Sequence, residues 1–570
     1  MTSDLPLAPP TAPRPILEIA GILGLRPGDI DTRGPAVAKV HLSAIGRLEA
    51  EAAAAGRRAR YVLVTGITPT ALGEGKTTTA IGLVQGLNRI GHRATICLRQ
   101  PSLGQVFGLR GGAAGGGRCM VLPATELDLG LTGDSLAVAA AQDLAAAFLD
   151  NALHHGNPLG IDPRAVHLPR VTEVNDRVLR RAIVGIGGRE NGLRRETEWV
   201  STMASEVMAI LALSSDLADL RARLGRMVLA DSLSGRPITA EDLHVAGAMA
   251  VLLREAIQPN LLQTLEGGPA LVHAGSFAHV APGSSSVLAD RLALAASEIV
   301  CTEAGYGADL GAEKFFDIKC RASGRAPDAV VIVATVRALK VHGDLAAAGS
   351  PSPGDRALER EAVAAVRRGA ANLAAHVEIV RQFGVPVVVA VNLFPTDTAA
   401  EVQAIQEAAV VAGARAAVPS DHFARGGEGA SELARTVWEV ASRDPEPLRP
   451  LYPDGLSLRE KIEIVAIRVY GASGVDFSAT ASRTLARFEE AGFGALAVCV
   501  AKTPYSLSSD ASRVGRPSGF RVTVHDVRLA AGAGFVTPFL GGVRALPELP
   551  AHPRAERIDI EPGGEIVGLK

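Results

Sequence analysis

Tyr61-Val62-Leu63-Val64-Thr65-Gly66-Ile67-Thr68-Pro69-Thr70-Ala71-Leu72-Gly73-Glu74-Gly75-Lys76-Thr77-Thr78-Thr79 is the stretch that decides the fold. Its apolar start, 61–64, predicts a buried strand. Residues 80–87 carry an apolar helical pattern that Gly91 ends, and Ala94-Thr95-Ile96-Cys97-Leu98 predicts a second strand. Strand, glycine-rich loop, helix, strand is the setting in which Gly75-Lys76-Thr77 signals a phosphate loop. Gly73 and Gly75 let the backbone curl tightly, and the helix starting near Lys76 adds free N–H groups and a positive end. Lys76 can reach the terminal phosphates of a bound nucleotide, and Thr77 can offer a hydroxyl to Mg²⁺. The expected ATP-binding segment is therefore Thr70, Ala71, Leu72, Gly73, Glu74, Gly75, Lys76 and Thr77, with Thr70 standing where the motif's first glycine usually does. An ordinary strand-to-helix turn is the alternative. It leaves unexplained a lysine facing the positive end of a helix dipole, which is unfavourable without an anion.

A second glycine-rich segment, 104–117, follows the strand over 94–98. It holds Gly-Gly-Ala-Ala-Gly-Gly-Gly at 111–117 and Arg110, with Arg99 and Arg118 on its flanks. Low complexity is the bland reading. Glycine backbone with arginines beside a strand end suits a polyanionic ligand.

The composition bounds the function. Of 570 residues, 47% are hydrophobic and 21% charged, which marks a core-forming globular chain. A net charge of -2 gives no nucleic-acid surface, and 4% aromatics give no broad base-stacking platform. The five cysteines follow neither a metal-knuckle nor a disulfide spacing, which fits a reducing compartment. No secretory pattern opens the chain and no charge-free run reaches membrane-spanning length. A cytoplasmic protein with neither nucleic-acid nor membrane partners is expected.

Beyond the first unit, helices are expected over 16–25, 42–59, 135–153, 207–213, 239–256, 284–301, 359–383, 399–413 and 458–470. Strands are expected over 183–188, 269–272, 330–336, 385–391, 495–500 and 520–527. Residues 1–14 read as a loose tail, 345–355 as a loop or boundary, and 444–453 as a connection. Alternating strands and helices predict an α/β fold with a mostly parallel sheet. Ligands of such sheets lie beyond the carboxyl ends of strands, which here selects segments 65–77, 99–118, 335–344 and 392–398.

Over nearly its whole length the chain resembles the formate–tetrahydrofolate ligase family. The resemblance is carried by Thr68-Pro69 with Gly73-Glu74-Gly75-Lys76-Thr77-Thr78, by Pro101-Ser102-Leu103-Gly104, and by Gly111 to Gly117. It continues through Leu131-Thr132-Gly133-Asp134, Ala204 to Ile210, Pro259-Asn260-Leu261, and Thr302 to Asp309 leading into Glu313-Lys314-Phe315-Phe316-Asp317. Phe394-Pro395-Thr396-Asp397-Thr398 and Ala501-Lys502-Thr503 complete it. The resemblance implies that formate, ATP and tetrahydrofolate give 10-formyltetrahydrofolate, ADP and phosphate through formyl phosphate. It also implies Mg²⁺, stimulation by K⁺ or NH₄⁺, and a homotetramer. A P-loop NTPase-like domain is implied from 1–139 with 281–372, with two further α/β domains: an inserted one at 140–280, and a C-terminal one at 373–570 that contributes the folate pocket. The rivals are another ATP-dependent ligase or partition-type ATPase, and a non-enzymatic nucleotide-binding regulator.

Carried over by position, Lys76 resembles the phosphate-loop lysine, Arg99 the arginine that holds formyl phosphate, and Asp134 the aspartate beside the reacting folate amine. Phe394 resembles one of two aromatics that sandwich the pterin, and Phe423 stands where the family has a tryptophan before Gly-Gly-Glu-Gly. Phenylalanine keeps a stacking face but loses area and the indole N–H. Gln100 follows Arg99, where many members carry glutamate. From the residues alone, Arg99 could instead be a solvated strand-end residue, Asp134 a helix cap, and the two phenylalanines core.

Overall fold

The computed structural model describes residues 12–108, 114–278, 280–345, 356–443 and 446–569. Arg110 and positions 111–113 of the glycine-rich segment lie outside the described residues, as do 1–11 of the expected tail, 346–355 of the expected boundary loop, and 444–445.

One large sheet organises the chain. Its main path uses β1 (Ile30–Thr32), β2 (Ala38–Val40), β3 (Arg60–Gly66), β4 (Ala94–Leu98), β5 (Asn260–Thr264), β6 (Pro269–Val272), β7 (Ile299–Gly307), β8 (Ala329–Ala334), β9 (Val387–Asn392) and β10 (Ala416–Ser420). Their spatial order is β1-β2-β5-β6-β4-β7-β3-β8-β9-β10. Every pairing from β6 to β10 is parallel. The pairings β1–β2, β2–β5 and β5–β6 are antiparallel. A hairpin of Gly115–Gly116 and Cys119–Leu122 adds to β5. The sheet is thus mostly parallel, as expected. It also draws β5, β6, β9 and β10 from outside the stretches 1–139 and 281–372, so its hydrogen bonds run across 280 and 372. A sheet of Ile161–Val166, Val228–Ser232 and Pro237–Thr239 stands apart, as does one of Gly474–Phe477, Ala497–Val498, Arg521–Ala530 and Phe535–Leu540.

Successive strand side chains enter opposite layers because the strand period is two. Val62, Val64, Ile96, Leu98, Val331 and Val388 pack in one core with helices α1 (Lys76–Arg89) and, late in the chain, Ser431–Ala441. Tyr61, Leu63, Cys97, Val330, Ile332 and Val389 join the opposite core with helices Val287–Ala296 and Val363–Gln382. Both faces are covered, so the central strands read as continuous apolar runs. Each fully buried valine contributes roughly 1.5–3 kcal/mol of burial.

Two glycines set the approach of α1 to its neighbours. A Cβ on Gly82 would lie 2.7 Å from His422 Cβ, and one on Gly86 would lie 3.0 Å from the Ala430 carbonyl oxygen. They offset the roughly 1 kcal/mol helix-propensity cost of each glycine by admitting the 422–430 segment.

Helix α2 (Asp134–His154) is 21 residues and apolar enough, by length and composition, to cross a membrane. It carries Asp134, Asp143 and Asp150, each with a polar partner, and buries Val138, Ala141, Ala145 and Leu149 in the protein core.

Two element expectations are corrected. Thr239 and Asp242 exchange the bonds of a helix start, but they close a turn after strand Pro237–Thr239, and the helix there is Ala246–Leu252. The expected helix 284–301 ends at Ala296, and Ile299-Val300-Cys301 enters the sheet as β7. The slot between β3 and β4 claims those residues, so tertiary pairing overrides the local pattern.

Candidate active site

The glycine loop follows β3. Gly73 and Gly75 have φ of +72° and +73°, the left-handed region that glycine tolerates. A Cβ on Gly75 would lie 2.6 Å from Asn392 Nδ2, which donates to the Glu74 carbonyl at 3.1 Å, so β9 holds the loop from the side. Thr70, the departure from the usual glycine, has a structural task. Its N–H and hydroxyl both donate to Glu74 Oε1, at 2.7 and 3.0 Å, closing the loop on itself. Lys76 Nζ lies 3.8 Å from Glu74 Oε2 at the first turn of α1. Arg337 donates to the carbonyls of Leu72 and Gly73, both at 3.2 Å.

Upstream, Thr68 is clamped by three side chains. His376 Nδ1 accepts the Ala308 N–H at 3.2 Å, so its Nε2–H donates to Thr68 Oγ1 at 3.0 Å. His342 Nδ1 accepts from Gly515, which leaves its Nε2–H for the Thr68 carbonyl at 2.8 Å. Asn372 donates to Thr68 Oγ1 and accepts from the Thr68 N–H. Burial keeps both imidazoles neutral, with the pKa of His376 lowered to about 4.

Arg99 leaves the carboxyl end of β4 and meets Glu303 from β7. Arg99 Nη2 donates to Glu303 Oε1 at 3.2 Å, and Nη1 donates to the Ser276 carbonyl at 3.3 Å. The other oxygen of Glu303 accepts from Thr77 Oγ1 at 2.6 Å. One carboxylate thus spans the glycine loop and the arginine. Gly305 backs the guanidinium, since a Cβ there would lie 3.0 Å from Nη1. Arg99 Nε is buried without a hydrogen-bond partner among the described residues. The arginine is held and three-quarters buried, with its side chain 23% exposed, and is not a solvated strand end. Its orphan donor suits an anion.

Asp134 is not the helix cap, which is Gly133. Its carboxylate is buried and saturated. Lys39 Nζ reaches Oδ1 and Oδ2 at 2.6 and 2.7 Å, Asn260 Nδ2 donates to Oδ2 at 2.8 Å, and Thr132 Oγ1 donates to Oδ1 at 3.2 Å. Gln100 is buried and donates to the Gly130 carbonyl at 3.1 Å, joining the end of β4 to the turn before Asp134.

Phe394 and Phe423 follow the adjacent strands β9 and β10, on the carboxyl edge where the glycine loop and Arg99 also lie. The Arg337 guanidinium carbon stands 3.7 Å from the centroid of the Phe394 ring, so a cation covers one face. Phe423 is 46% exposed and rests on the glycine segment, with Cβ positions on Gly116 and Gly117 falling 3.2 and 2.9 Å from its ring. Neither ring lies in the hydrophobic cores.

Comparison with known proteins decides the family. The family model for formate–tetrahydrofolate ligase matches residues 2–570. The chain is 54% identical over 569 residues to a formate–tetrahydrofolate ligase of Roseiflexus castenholzii, covering all of both chains. It is 52% identical to one of Saccharopolyspora erythraea, covering all of this chain and 99% of the other. It is 50% identical to one of Paracoccus denitrificans over all of both chains. The chain belongs to the formate–tetrahydrofolate ligase family. It is an enzyme of that family, and its α/β architecture accords with the expected class.

Within this ligase-family chain, the glycine loop and Arg99 meet through a residue to which the sequence reading gave no role. Glu303 lies in the Thr302–Asp309 stretch, where the helical pattern over 284–301 hid the strand that delivers it. Asn392, Arg337, His342 and His376 were missed likewise, since each acts on a loop far away in the chain. Only the segments 335–344 and 392–398, selected as strand-end loops, pointed toward Arg337, His342 and Asn392.

Proposed function

We propose that this enzyme joins formate to tetrahydrofolate with ATP, giving 10-formyltetrahydrofolate, ADP and phosphate through formyl phosphate. The observation that carries this reading is Glu303, whose two oxygens contact Thr77 and Arg99. It makes one site of a nucleotide-phosphate loop and a carboxylate-binding arginine, as phosphorylation of a carboxylate requires. Phosphoryl transfer needs placement and charge neutralisation above all. In this reading Thr70 to Thr77 wrap the phosphates and Lys76 meets the γ-phosphate. Arg99 clamps formate while one of its oxygens attacks phosphorus and ADP leaves.

Thr77 Oγ1 and Glu303 Oε2 are hard oxygen donors side by side, which fits Mg²⁺ bound together with ATP. Bound there, the ion would neutralise phosphate charge. In the second step the folate amine attacks the formyl carbon, with Arg99 facing the developing oxyanion, and phosphate leaves with the C–O bond electrons and takes up the amine proton. Asp134, with both oxygens occupied, acts as a fixed anion that orients the amine. The pterin lies between Phe423 and the face of Phe394 opposite Arg337. By function, phosphate handling belongs to 1–139 with 281–372, and 373–570 supplies the folate pocket, with 140–280 inserted. Stimulation by K⁺ or NH₄⁺, a homotetramer and a cytoplasmic location rest on the family resemblance.

The test is Lys76→Met, which keeps helix propensity and removes the charge. Formate-dependent ADP release and 10-formyltetrahydrofolate production should both disappear with the circular dichroism spectrum retained. Near-normal turnover in that variant would refute the assignment.

A further inference from the structure

A single buried side chain joins the Phe423 ring to the phosphate loop. His422 follows β10 in the short turn that carries Phe423, and it is fully buried. Its Nε2 lies 3.1 Å from Oγ1 of Thr79, which is buried in the first turn of α1. The surrounding bonds leave one arrangement of hydrogens. The Thr79 hydroxyl donates to the Gly75 carbonyl at 2.9 Å, so toward the imidazole it accepts, and His422 Nε2 carries the proton. His422 Nδ1 then accepts from the Ser420 hydroxyl at 3.0 Å. The Gly429 carbonyl, 3.2 Å from that same hydroxyl, is already bonded by the Asp421 N–H. Burial keeps the imidazole neutral, with its pKa lowered to about 4. A line of hydrogen bonds thus runs from Gly75 in the glycine loop, through Thr79 and His422, to Ser420 at the end of β10.

The backbone of the same two residues is held as closely. Cys119 Sγ donates to the His422 carbonyl at 3.1 Å, and the Arg118 N–H donates to the Phe423 carbonyl at 2.9 Å. Gln85, farther along α1, donates to the Arg118 carbonyl at 3.2 Å. Residues 422 and 423 therefore sit between α1 and the 115–122 hairpin, while the Phe423 ring itself stays 46% exposed. A half-exposed ring has little packing of its own to fix it, so its place comes from the backbone beneath. Packing alone would ask only for an apolar side chain of similar volume at 422. What the imidazole adds is a bond across to Thr79, at the cost of burying two ring nitrogens that must both be satisfied.

We propose that His422 is a positioning residue, which sets the Phe423 ring for the pterin from the phosphate-loop helix through its hydrogen bond to Thr79. The proposal rests on the ligase reading and deepens it. His422 touches neither substrate and acts through Phe423. Because Thr79 also bonds the Gly75 carbonyl, the place of the folate ring is tied to the loop that wraps the phosphates. Both substrates must be held in one mutual geometry for formyl transfer, and this bond fixes part of it across 343 positions of chain.

The experiment is steady-state kinetics of the full chain at saturating formate, with ATP and tetrahydrofolate varied in turn and thermal melts alongside. His422→Leu should raise the tetrahydrofolate KM by up to about tenfold, the ceiling set by removing the ring itself, and leave the ATP KM unchanged. His422→Gln, whose amide keeps a donor for Thr79, should recover most of that loss. In a Phe423→Ala background His422→Leu should have no further effect on the folate KM, because the two residues act as one unit. The proposal is overturned if His422→Leu leaves the folate KM unchanged, or if its effect persists undiminished without the Phe423 ring. Should His422→Leu fail to fold, Thr79→Val against Thr79→Ser decides. The valine should raise the folate KM and the serine should not; equal values overturn the proposal. Failure of the ligase reading looks different: the wild type itself then makes no 10-formyltetrahydrofolate.

Discussion

Thr77 donates its hydroxyl to Glu303 at 2.6 Å across 226 positions of chain, and the same carboxylate accepts from Arg99. Glu303→Gln keeps the shape and removes the charge that both groups share. Turnover should fall by about 10²-fold, as for loss of one preorganised electrostatic contact. A purely structural residue would instead lower the melting temperature and leave turnover per folded molecule intact. Steady-state kinetics alongside thermal melts distinguish the two.

Arg99→Lys keeps the charge but loses the planar fork and the two-point hold on Glu303 and Ser276. A drop of roughly 10²-fold or more in turnover is expected, with little change in tetrahydrofolate affinity. Calorimetric titration of folate against both forms checks this. A collapse of affinity with surviving turnover per bound complex would contradict the role.

In the proposed reading Phe423 and Phe394 are the two rings that hold the pterin. Phe423→Ala should raise the folate KM by about tenfold and leave the ATP KM alone, since stacking beyond area contributes roughly 0.5–1.5 kcal/mol. Phe423→Trp should tighten folate by up to about tenfold, because the half-exposed ring has room to grow outward. Phe394→Ala should act in the same direction as Phe423→Ala. If ATP is the substrate that suffers in these variants, the two rings are not the pterin clamp.

The clamp on Thr68 makes the loop acid-sensitive. His376 is charged less readily when folded, with a pKa near 4 against 6.5 unfolded, chiefly because it is buried. Its charged or titratable neighbours are Asp309, His342, Lys502 and Lys76. The unfolded chain binds the extra proton first as pH falls, so this contribution is fully present above about pH 6.5 and is lost toward pH 4. The complete loss is on the order of 3 kcal/mol. Glu206, pushed up to about 7 by burial, runs the opposite way, losing stability as pH rises from its unfolded value toward 7. The difference between wild type and His376→Gln isolates the histidine. Urea denaturation between pH 7.5 and 5 should show a shallower acid decline in the variant; parallel declines would show that His376 carries no such linkage.

The glycine loop was legible because its signal is local. Gly73, Gly75 and Lys76 act through backbone conformation and a helix end within a few residues, and the apolar runs on either side announce strand and helix by period. Local patterns also misled. The Thr239 and Asp242 pair forms the reciprocal bonds of a helix start, yet His244 at φ +55° stops any helix from following directly.

Asp134 shows where local reading ends. Its place after Thr132-Gly133 offered a helix cap and the family resemblance an aspartate beside the folate amine, and neither reading contained Lys39, which lies 95 positions earlier and occupies both oxygens. The ring of Phe394 likewise waits on Arg337 for the identity of its covered face.

By itself the sequence determined the family and the α/β class, since these rest on short spacings and on many ordered motifs. Only the tertiary structure decided that Glu303 stands between Thr77 and Arg99 and that Thr68 is held by two neutral histidines. Each of those facts is a contact between a loop or helix that follows one strand of the parallel sheet and a residue carried by, or packed on, another. Parallel neighbours are joined by long crossovers, so their partners lie hundreds of residues apart, and pairing is settled by the fit of two covered faces and not by any local propensity.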